Sequence, residues 1–502
     1  MLRTTFPAAL IPALIPALVV ANAASAWAGP GPDEAAFRAT YRTLVETDTT
    51  LAHGDCTVAA TRMAAILRAA GFSDDRLIAY AAPDHPREGG LVAILPGHSA
   101  TLKPLLLVAH IDVVEARRED WPRDPFALAE NAGYFHARGA YDDKAHAAIF
   151  VDAIANLART HARPKRTIKL ALTCGEETNG AFNGAQWLAT NRRDLIDAAF
   201  ALNEGGGGRT DGALNEGGGG RTDGASNEGG GGRTDGKSIG SGGKVIAQTI
   251  QVGEKTFANF VLETRNRGGH SSAPRPDNAI YQLAHALDRI EAHTFPVEFT
   301  PTTTVYFHDV GTARGGLMGQ AMVALAADPT DKAALWQVDT DAFLHSNIRT
   351  TCVATMLDAG HAPNALPQRA RATVNCRIFP GHTVDAIGHE LERVVGDPDV
   401  TVTALTPLRP APPPPPLDPM VIDPARKLVA KYWPGVTLVP AMANGYTDAT
   451  FLTAAGIPTY GVPGLWGDPD GNGVHGLDER IAVQSLLTGR LFLDDLIRAY
   501  AF

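Results

Sequence analysis

"LLLVAHID", residues 105 to 112, runs through apolar side chains and then ends in an imidazole and a carboxylate. A short, continuously apolar run is what a strand covered on both faces of a parallel sheet requires. Two more runs have the same form, "TIKLALTC" (167 to 174) and "AAFALN" (198 to 203). Between the first two, Ala148, Val151, Ala155 and Ala158 recur on one face of a helix. Upstream, Ala59, Met63, Ile66, Leu67 and Ala70 make a helical stripe closed by Gly71. Alternating buried strands and amphipathic helices predict an α/β fold with a mostly parallel central sheet.

Open sheets of this kind bind ligands beyond the C-terminal ends of their strands. There the sequence concentrates its acids. His110 and Asp112 fall on the same side of an extended chain. "RGAYDDKA" puts Asp142 and Asp143 at the opening of a helix, Glu176 and Glu177 follow the strand that ends at Cys174, and Glu204 follows "AAFALN". Taken singly, each has a plainer reading as a surface pair, a helix cap or a solvated turn. Converging on one edge, the carboxylates repel and raise one another's pKa unless a cation compensates. A pair of divalent metal ions supplies that charge, and His475 in "NGVHGLDER" adds the remaining imidazole.

Glu204 opens a second question, because residues 203 to 236 write one twelve-residue unit three times, with Glu204, Glu216 and Glu228 as equivalents. Glycine-rich polar repeats ordinarily act as flexible linker. Only the first copy is preceded by an apolar strand, while "GRTDG" precedes the others and cannot extend a buried strand. Glu204 is therefore the expected ligand.

Past the repeat, "IAQTIQVGEKTFANFVLETRNRGG" reads as strands, residues 277 to 293 as a helix, "RARATVNCRIF" as a strand and 383 to 395 as a helix. This is a smaller α+β unit. Residues 297 to 346 form a long insertion within it that carries no motif. The proline run at 410 to 419 favours polyproline II geometry, and "GIPTYGV" with a helix at 480 to 500 resumes the first pattern. The reading is a catalytic domain over 29–248 and 401–502, interrupted by a second domain over 249–400.

At 502 residues the chain exceeds what one core organises. Its formal net charge of −10 gives no basic footprint for nucleic acid. Arg3, the apolar stretch from Ala8 to Val20 and Ala26-Trp27-Ala28 predict a secretory signal over 1–28. A membrane anchor needs about 20 apolar residues, and Pro12 and Pro16 interrupt this stretch. The expected location is periplasmic or secreted, with no membrane association after cleavage. Of the 4 cysteines, Cys352 and Cys376 sit in strand-like runs and can pair, but buried free thiols are the simpler expectation, also for Cys56 and Cys174.

In order along the chain, "AHIDVV", "RGAYDDKA", "CGEETNG", "ALNEGG", "RGGHSSAPRPDNAI", "NALP…VNCRIFPG" and "HGLDER" resemble the di-zinc peptidases that include aminoacylase, carboxypeptidase G and succinyl-diaminopimelate desuccinylase. The resemblance implies two Zn2+ per chain, one held by His110 and Glu204, the other by Glu177 and His475, with Asp142 bridging. It also implies that Asp112 hydrogen-bonds the His110 ring, that Glu176 is the general base and that the Asp142–Asp143 peptide bond is cis. The inserted unit becomes a lid and dimerisation domain. There His270 stabilises the oxyanion and Asn364 and Arg377 grip a substrate carboxylate. The implied activity is hydrolysis of small peptides, as a carboxypeptidase or dipeptidase, with an N-acyl amino acid amidohydrolase as the alternative. An inactive binding homologue is the remaining reading, and the filled ligand and base positions speak against it. The triplication at Glu204 departs from the family pattern.

Overall fold

The computed structural model describes residues 32–178, 182–210, 245–468 and 471–502. The expected signal segment and repeat copies two and three, with Glu216 and Glu228, lie outside the described residues.

A large mixed sheet runs in the order Leu77–Ala82, His85–Leu95, Ile168–Thr173, Leu105–His110, Phe200–Asn203, Thr459–Gly461, Val245–Glu254, Gly207–Thr210, Trp466–Gly467, with Leu438–Ala443 also paired to Val245–Glu254. Its middle is parallel: Ile168–Thr173, Leu105–His110, Phe200–Asn203 and Thr459–Gly461 pair in the same direction. The antiparallel pairs formed by Leu77–Ala82 and His85–Leu95 close one side. The predicted strands are buried at every residue, because helices cover both faces. On one face the helix Lys144–Arg159 is buried continuously from Lys144 to Ala155, and the helices Pro32–Val45 and Val483–Ala501 pack against it. The opposite core includes Val108, Ala171 and Ala201, beneath Leu188 and Leu452 of the helices Gly184–Asn191 and Ala449–Ala454. This is the α/β architecture expected. Among the described residues no helix is long and apolar enough to cross a membrane.

The smaller unit is a four-stranded antiparallel sheet in the order Thr351–Ala359, Arg369–Ile378, Thr256–Arg265, Val400–Ala404. The strand Arg369–Ile378 alternates buried and open residues along its length, so one face packs on the helices Ala279–Ala292 and Val384–Val395 around a separate core. The crossing points differ slightly from the reading of the sequence. Val245–Glu254 pairs within the large sheet and Val400–Ala404 within the small one, so the inserted unit starts after Glu254 and extends through Ala404. Residues 301 to 347 turn out helical, with helices Pro301–Arg314, Gly316–Ala327, Lys332–Val338 and Ala342–Asn347 around Phe307, Met322 and Leu344. The Thr300 and Thr303 side chains form a reciprocal cap with Pro301 at the first helical position. Asn347 donates to the Met442 carbonyl at 3.1 Å, fastening this helical layer to the catalytic strand Leu438–Ala443.

The expectation of free thiols is overturned. Cys56 bonds Cys174, 118 positions further along the sequence and 6.2 Å away between Cα atoms, and Cys352 bonds Cys376 across directly paired strands. The first pair is invisible to spacing. It forms because the helix Cys56–Ala69 lies against His85–Leu95, next to the strand that delivers Cys174.

Candidate metal centre

Ile168–Thr173, Leu105–His110 and Phe200–Asn203 are neighbours in the sheet and parallel, so the residues that follow them meet at one edge. His110 is the last residue of its strand. Its Nδ1 lies 3.0 Å from the Asp112 carbonyl, which can only accept, so Nδ1 carries a proton and Nε2 is the ring nitrogen turned into the site. That Nε2 sits 3.1 Å from Asp142 Oδ1 and 3.5 Å from Glu204 Oε1. His475 Nε2 sits 3.2 Å from Asp142 Oδ2 and 2.9 Å from Glu177 Oε1. One carboxylate thus turns one oxygen to each imidazole. Ligand atoms of His110, Glu176 and Glu204, and those of His110, Asp142 and Glu177, lie within 4.8 Å of one another in two overlapping sets.

Asp112 is placed differently from expectation. Its carboxylate stays 3.7 Å from His110 Nδ1, because its own main-chain carbonyl takes the ring proton. The two carboxylate oxygens instead accept the N–H groups of Glu176 at 3.3 Å and Glu177 at 3.0 Å. Asp112 therefore fixes the acid pair directly. Asp142, whose bond to Asp143 is cis, is held by Glu479. The buried Glu479 carboxylate accepts from Arg138 at 2.8 Å, from the Gly139 and Tyr141 N–H groups at 2.9 Å, and from the Asp142 N–H at 3.1 Å. His475 arrives on a turn with positive φ, four residues before Glu479. His146, on the helix that Asp143 caps, pairs with Asp143 at 2.5 Å in the interior.

Burial and crowding decide the electrostatics. Burial, then the Glu204 charge, push the Glu176 carboxyl well up; Glu204 itself is raised by burial against the pull of His110. Burial and Asp142 bring Glu177 to about 7. Burial opposes charge on His110, yet Glu204 and Asp142 outweigh it and hold the ring well above its ordinary value; at His475, Asp142 and Glu177 outweigh burial and bring the ring to about 10. Protons are here compensating a surplus of buried negative charge. The donor set, two imidazole lone pairs with carboxylate oxygens around them, fits divalent metal ions, which provide the same compensation more strongly.

The inserted unit holds the other expected residues. His270 is exposed on a two-residue strand paired with Ala365–Leu366, and the Ser271 N–H donates to the Asn364 carbonyl at 3.1 Å, so His270 and Asn364 share one ribbon. Among the described residues no hydrogen bond or ion pair links either to the His110–His475 cluster. Arg377 stacks on Phe257, with 5.2 Å between guanidinium carbon and ring centre. The sequence reading missed three residues on the turn after Leu438–Ala443 and on the segment leading to it. The Tyr446 hydroxyl donates to the Glu176 carbonyl at 2.6 Å and accepts from Arg409 at 2.7 Å. Asp448, buried, accepts from Thr173 at 2.6 Å and Asn183 at 2.8 Å beneath the acid pair. For Tyr446 and Asp448 a signal was available in "NGYTDAT", an acid-bearing turn after an apolar strand like the other three.

A carboxylate shared between two imidazoles, beyond the parallel middle of a mixed sheet, is an arrangement suited to a metal-dependent hydrolase. The chain belongs to peptidase family M20/M25/M40, whose model matches residues 106–499, and it is a metal-dependent hydrolase of amide bonds. It is 29% identical over 426 residues to the N-fatty-acyl-amino acid synthase/hydrolase PM20D1 of Homo sapiens, covering 80% of this chain and 75% of that one. It is 26% identical over 394 residues to a probable carboxypeptidase S-like 2 of Dictyostelium discoideum, covering 78% and 70%. The fold is also that of an M20 family metallo-carboxypeptidase from Sulfolobus solfataricus, with a TM-score of 0.65 at 17% identity, covering 92% of this chain and 99% of that one.

Proposed function

We propose that this chain is an exported di-zinc enzyme that cleaves the amide joining an acyl group or peptide to an amino acid with a free carboxylate. The observation that carries it is Asp142, with one oxygen toward His110 and the other toward His475. His110 and Glu204 would hold one zinc, Glu177 and His475 the other, and Asp142 both. Bound there, the ions supply Lewis-acid polarisation of a carbonyl and a more acidic water.

The chain's own groups do the rest. Glu176 would be the general base: Asp112 accepts from its main-chain N–H and Tyr446 donates to its main-chain carbonyl, which holds the turn that carries it, and its carboxylate would take a proton from water and pass it to the leaving amine. His270 would donate to the developing oxyanion. Asn364 and Arg377 would hold the substrate carboxylate, with the planar guanidinium able to bind both oxygens. A homodimer through the inserted unit is supported by the edge strand Thr351–Ala359, on which Val353, Met356 and Leu357 are 61%, 70% and 65% exposed. Residues 1–28 would direct export to a periplasm or beyond the cell.

Dipeptides or tripeptides are the first substrate reading. N-acyl amino acids are the second, supported by the name and activity of the human relative. Elemental analysis with a panel of dipeptides, tripeptides and N-acyl amino acids tests both. The expected result is about two zinc per chain and hydrolysis abolished by chelation. Activity intact in chelator, with no tightly bound metal, refutes the proposal.

A further inference from the structure

We propose that Tyr446 is the positioning residue of the general base, and that the two chain segments crossing into and out of the inserted unit set its place. This rests on the amide-hydrolase reading above and deepens it by naming what fixes Glu176. The chain leaves the catalytic domain after Glu254 and comes back after Ala404. The turn that joins the strand Leu438–Ala443 to the helix Ala449–Ala454 lies against both crossings. On the way out, Lys255 donates its N–H to the Ala443 carbonyl at 3.0 Å, and Thr256 ties the crossings together by donating to the Pro410 carbonyl at 2.9 Å. Glu254 grips the turn itself, accepting from Thr447 at 2.9 Å and from Thr450.

Tyr446 stands in the middle of that turn. Its ring packs on Phe257 of the outgoing strand, with 5.1 Å between ring centres, and on Arg409 of the returning segment, whose guanidinium carbon is 3.6 Å from the ring centre. A guanidinium can only donate and a carbonyl only accept. The hydroxyl therefore takes the Arg409 N–H at 2.7 Å and gives its one proton to the Glu176 carbonyl at 2.6 Å. Accepting from a cation strengthens the bond that the hydroxyl donates.

That carbonyl belongs to the peptide group between Glu176 and Glu177, and the N–H of the same group donates to Asp112 at 3.0 Å. A peptide group is planar, so a hold at each end fixes its plane, and the two acids leave from opposite sides of it. Their side chains are secured unequally. Glu177 also meets His475 at 2.9 Å, whereas among the described residues no hydrogen bond or ion pair holds the Glu176 carboxylate. Its direction is set by the main chain alone. Losing the Tyr446 hydroxyl frees one end of the plane, which reaches Glu176 and leaves Glu177 on its imidazole.

The test takes the best-cleaved substrate from a panel of dipeptides, tripeptides and N-acyl amino acids, with kcat, KM and metal content measured on the same preparations. Tyr446→Phe should lower kcat about tenfold, the scale of one hydrogen bond backed by a charge, with KM and metal content at wild-type values. Phe257→Leu should lower kcat by a smaller factor, on the order of threefold, and should add nothing in the Tyr446→Phe background, because a ring without its hydroxyl has no bond to aim. Unchanged kcat in Tyr446→Phe, a loss carried by KM, or metal lost in step with activity each overturn the proposal. Losses that multiply in the double variant overturn the link to the crossings. If Tyr446→Phe fails to fold, Phe257→Leu decides: lowered kcat at wild-type KM and metal content upholds the proposal, and unchanged kcat refutes it. Wild-type enzyme that cleaves no amide of the panel refutes the functional reading and this inference with it, whereas an active wild type beside an unaltered Tyr446→Phe refutes the inference alone.

Discussion

Glu479→Gln is the most informative single change outside the ligand set. Two donors meet each of its oxygens: Arg138 and the Gly139 N–H at Oε2, the Tyr141 and Asp142 N–H groups at Oε1. Glutamine preserves the shape but only one acceptor oxygen, and its NH2 group turns a donor toward the other pair. Whichever way the amide faces, two buried donors lose their partner. At about 1–3 kcal/mol for each orphaned donor the cost is about 2–6 kcal/mol, which overlaps the roughly 3–5 kcal/mol for breaking a buried ion pair. That is a large part of the 5–15 kcal/mol, roughly, that holds a domain together.

The reasoning makes a second, sharper claim. One of the four donors is Asp142 itself, so the substitution should loosen the carboxylate shared by His110 and His475 and lower metal content along with stability. Arg138→Met is the comparison, because it removes the cation but leaves the Glu479 carboxylate on its three main-chain N–H groups. Urea unfolding in excess metal gives the stability change, and elemental analysis after gel filtration gives the metal. A wild-type midpoint and metal content in Glu479→Gln would refute the argument. Equal metal loss in Arg138→Met would show that the ion pair, and not the main-chain N–H set, supports Asp142.

Glu204→Gln should abolish activity while Glu216→Gln, Glu228→Gln and deletion of residues 213–236 leave it intact, since each doubling of loop length costs only about 0.6 kcal/mol; activity that survives Glu204→Gln but is lost in a later copy reverses the assignment. Glu176→Gln should retain metal and lose roughly 10²–10⁴-fold in kcat, whereas Glu177→Gln should lose metal; equal metal loss in both means the pair is assigned wrongly. Replacing Cys56 and Cys174 together with serine removes a bond spanning 118 residues, and chain entropy puts the loss at about 4–5 kcal/mol, to be read in urea; an unchanged midpoint refutes it. Burial raises Glu254 to about 7 against its hydrogen bonds from Thr450 and Thr447, so the stability this group contributes should be complete below the ordinary glutamate pKa and be lost as pH rises through about 7. Glu254→Gln should flatten that dependence, with a relative gain approaching about 3 kcal/mol at high pH; parallel stability curves for the two proteins would be the contrary result.

Much of the site was legible because rigid strands deliver it. His110, Glu176, Glu177 and Glu204 each follow a continuously apolar run, and such runs can hardly be anything but buried strands once their length and flanks are considered. The same logic separated Glu204 from its repeats. What stayed illegible depends on pairings between distant segments. Cys56 and Cys174 carry no spacing signal, and Asp112 shows only that a carboxylate stands two residues from His110, not that the nearer carbonyl would take the ring and free the carboxylate for the N–H groups of the acid pair. The helical layer at 301 to 347 was hidden differently: its pattern is weakly amphipathic because it packs on two sides, and only the Thr300 cap announced it.

These misses share a cause that bears on how the enzyme assembles. Nearly every N-terminal element of the site is completed by a residue from beyond the inserted unit. His475 meets Asp142 and Glu177, Glu479 takes the Asp142 N–H, Tyr446 takes the Glu176 carbonyl, and Asp448 receives Thr173 and Asn183. The sheet is built the same way, since Thr459–Gly461 lies against Phe200–Asn203 and extends the sheet on the side away from Leu105–His110. Contacts separated by more than 250 residues must therefore close before the acid pair has fixed geometry, and closing such loops is what makes folding slow. Of the residues the C-terminal segment brings, His475 sets a positive charge against Asp142 and Glu177, and Glu479 and Asp448 instead accept donors that the N-terminal segment leaves unpaired, so the geometry of the acid pair depends on both halves of the chain.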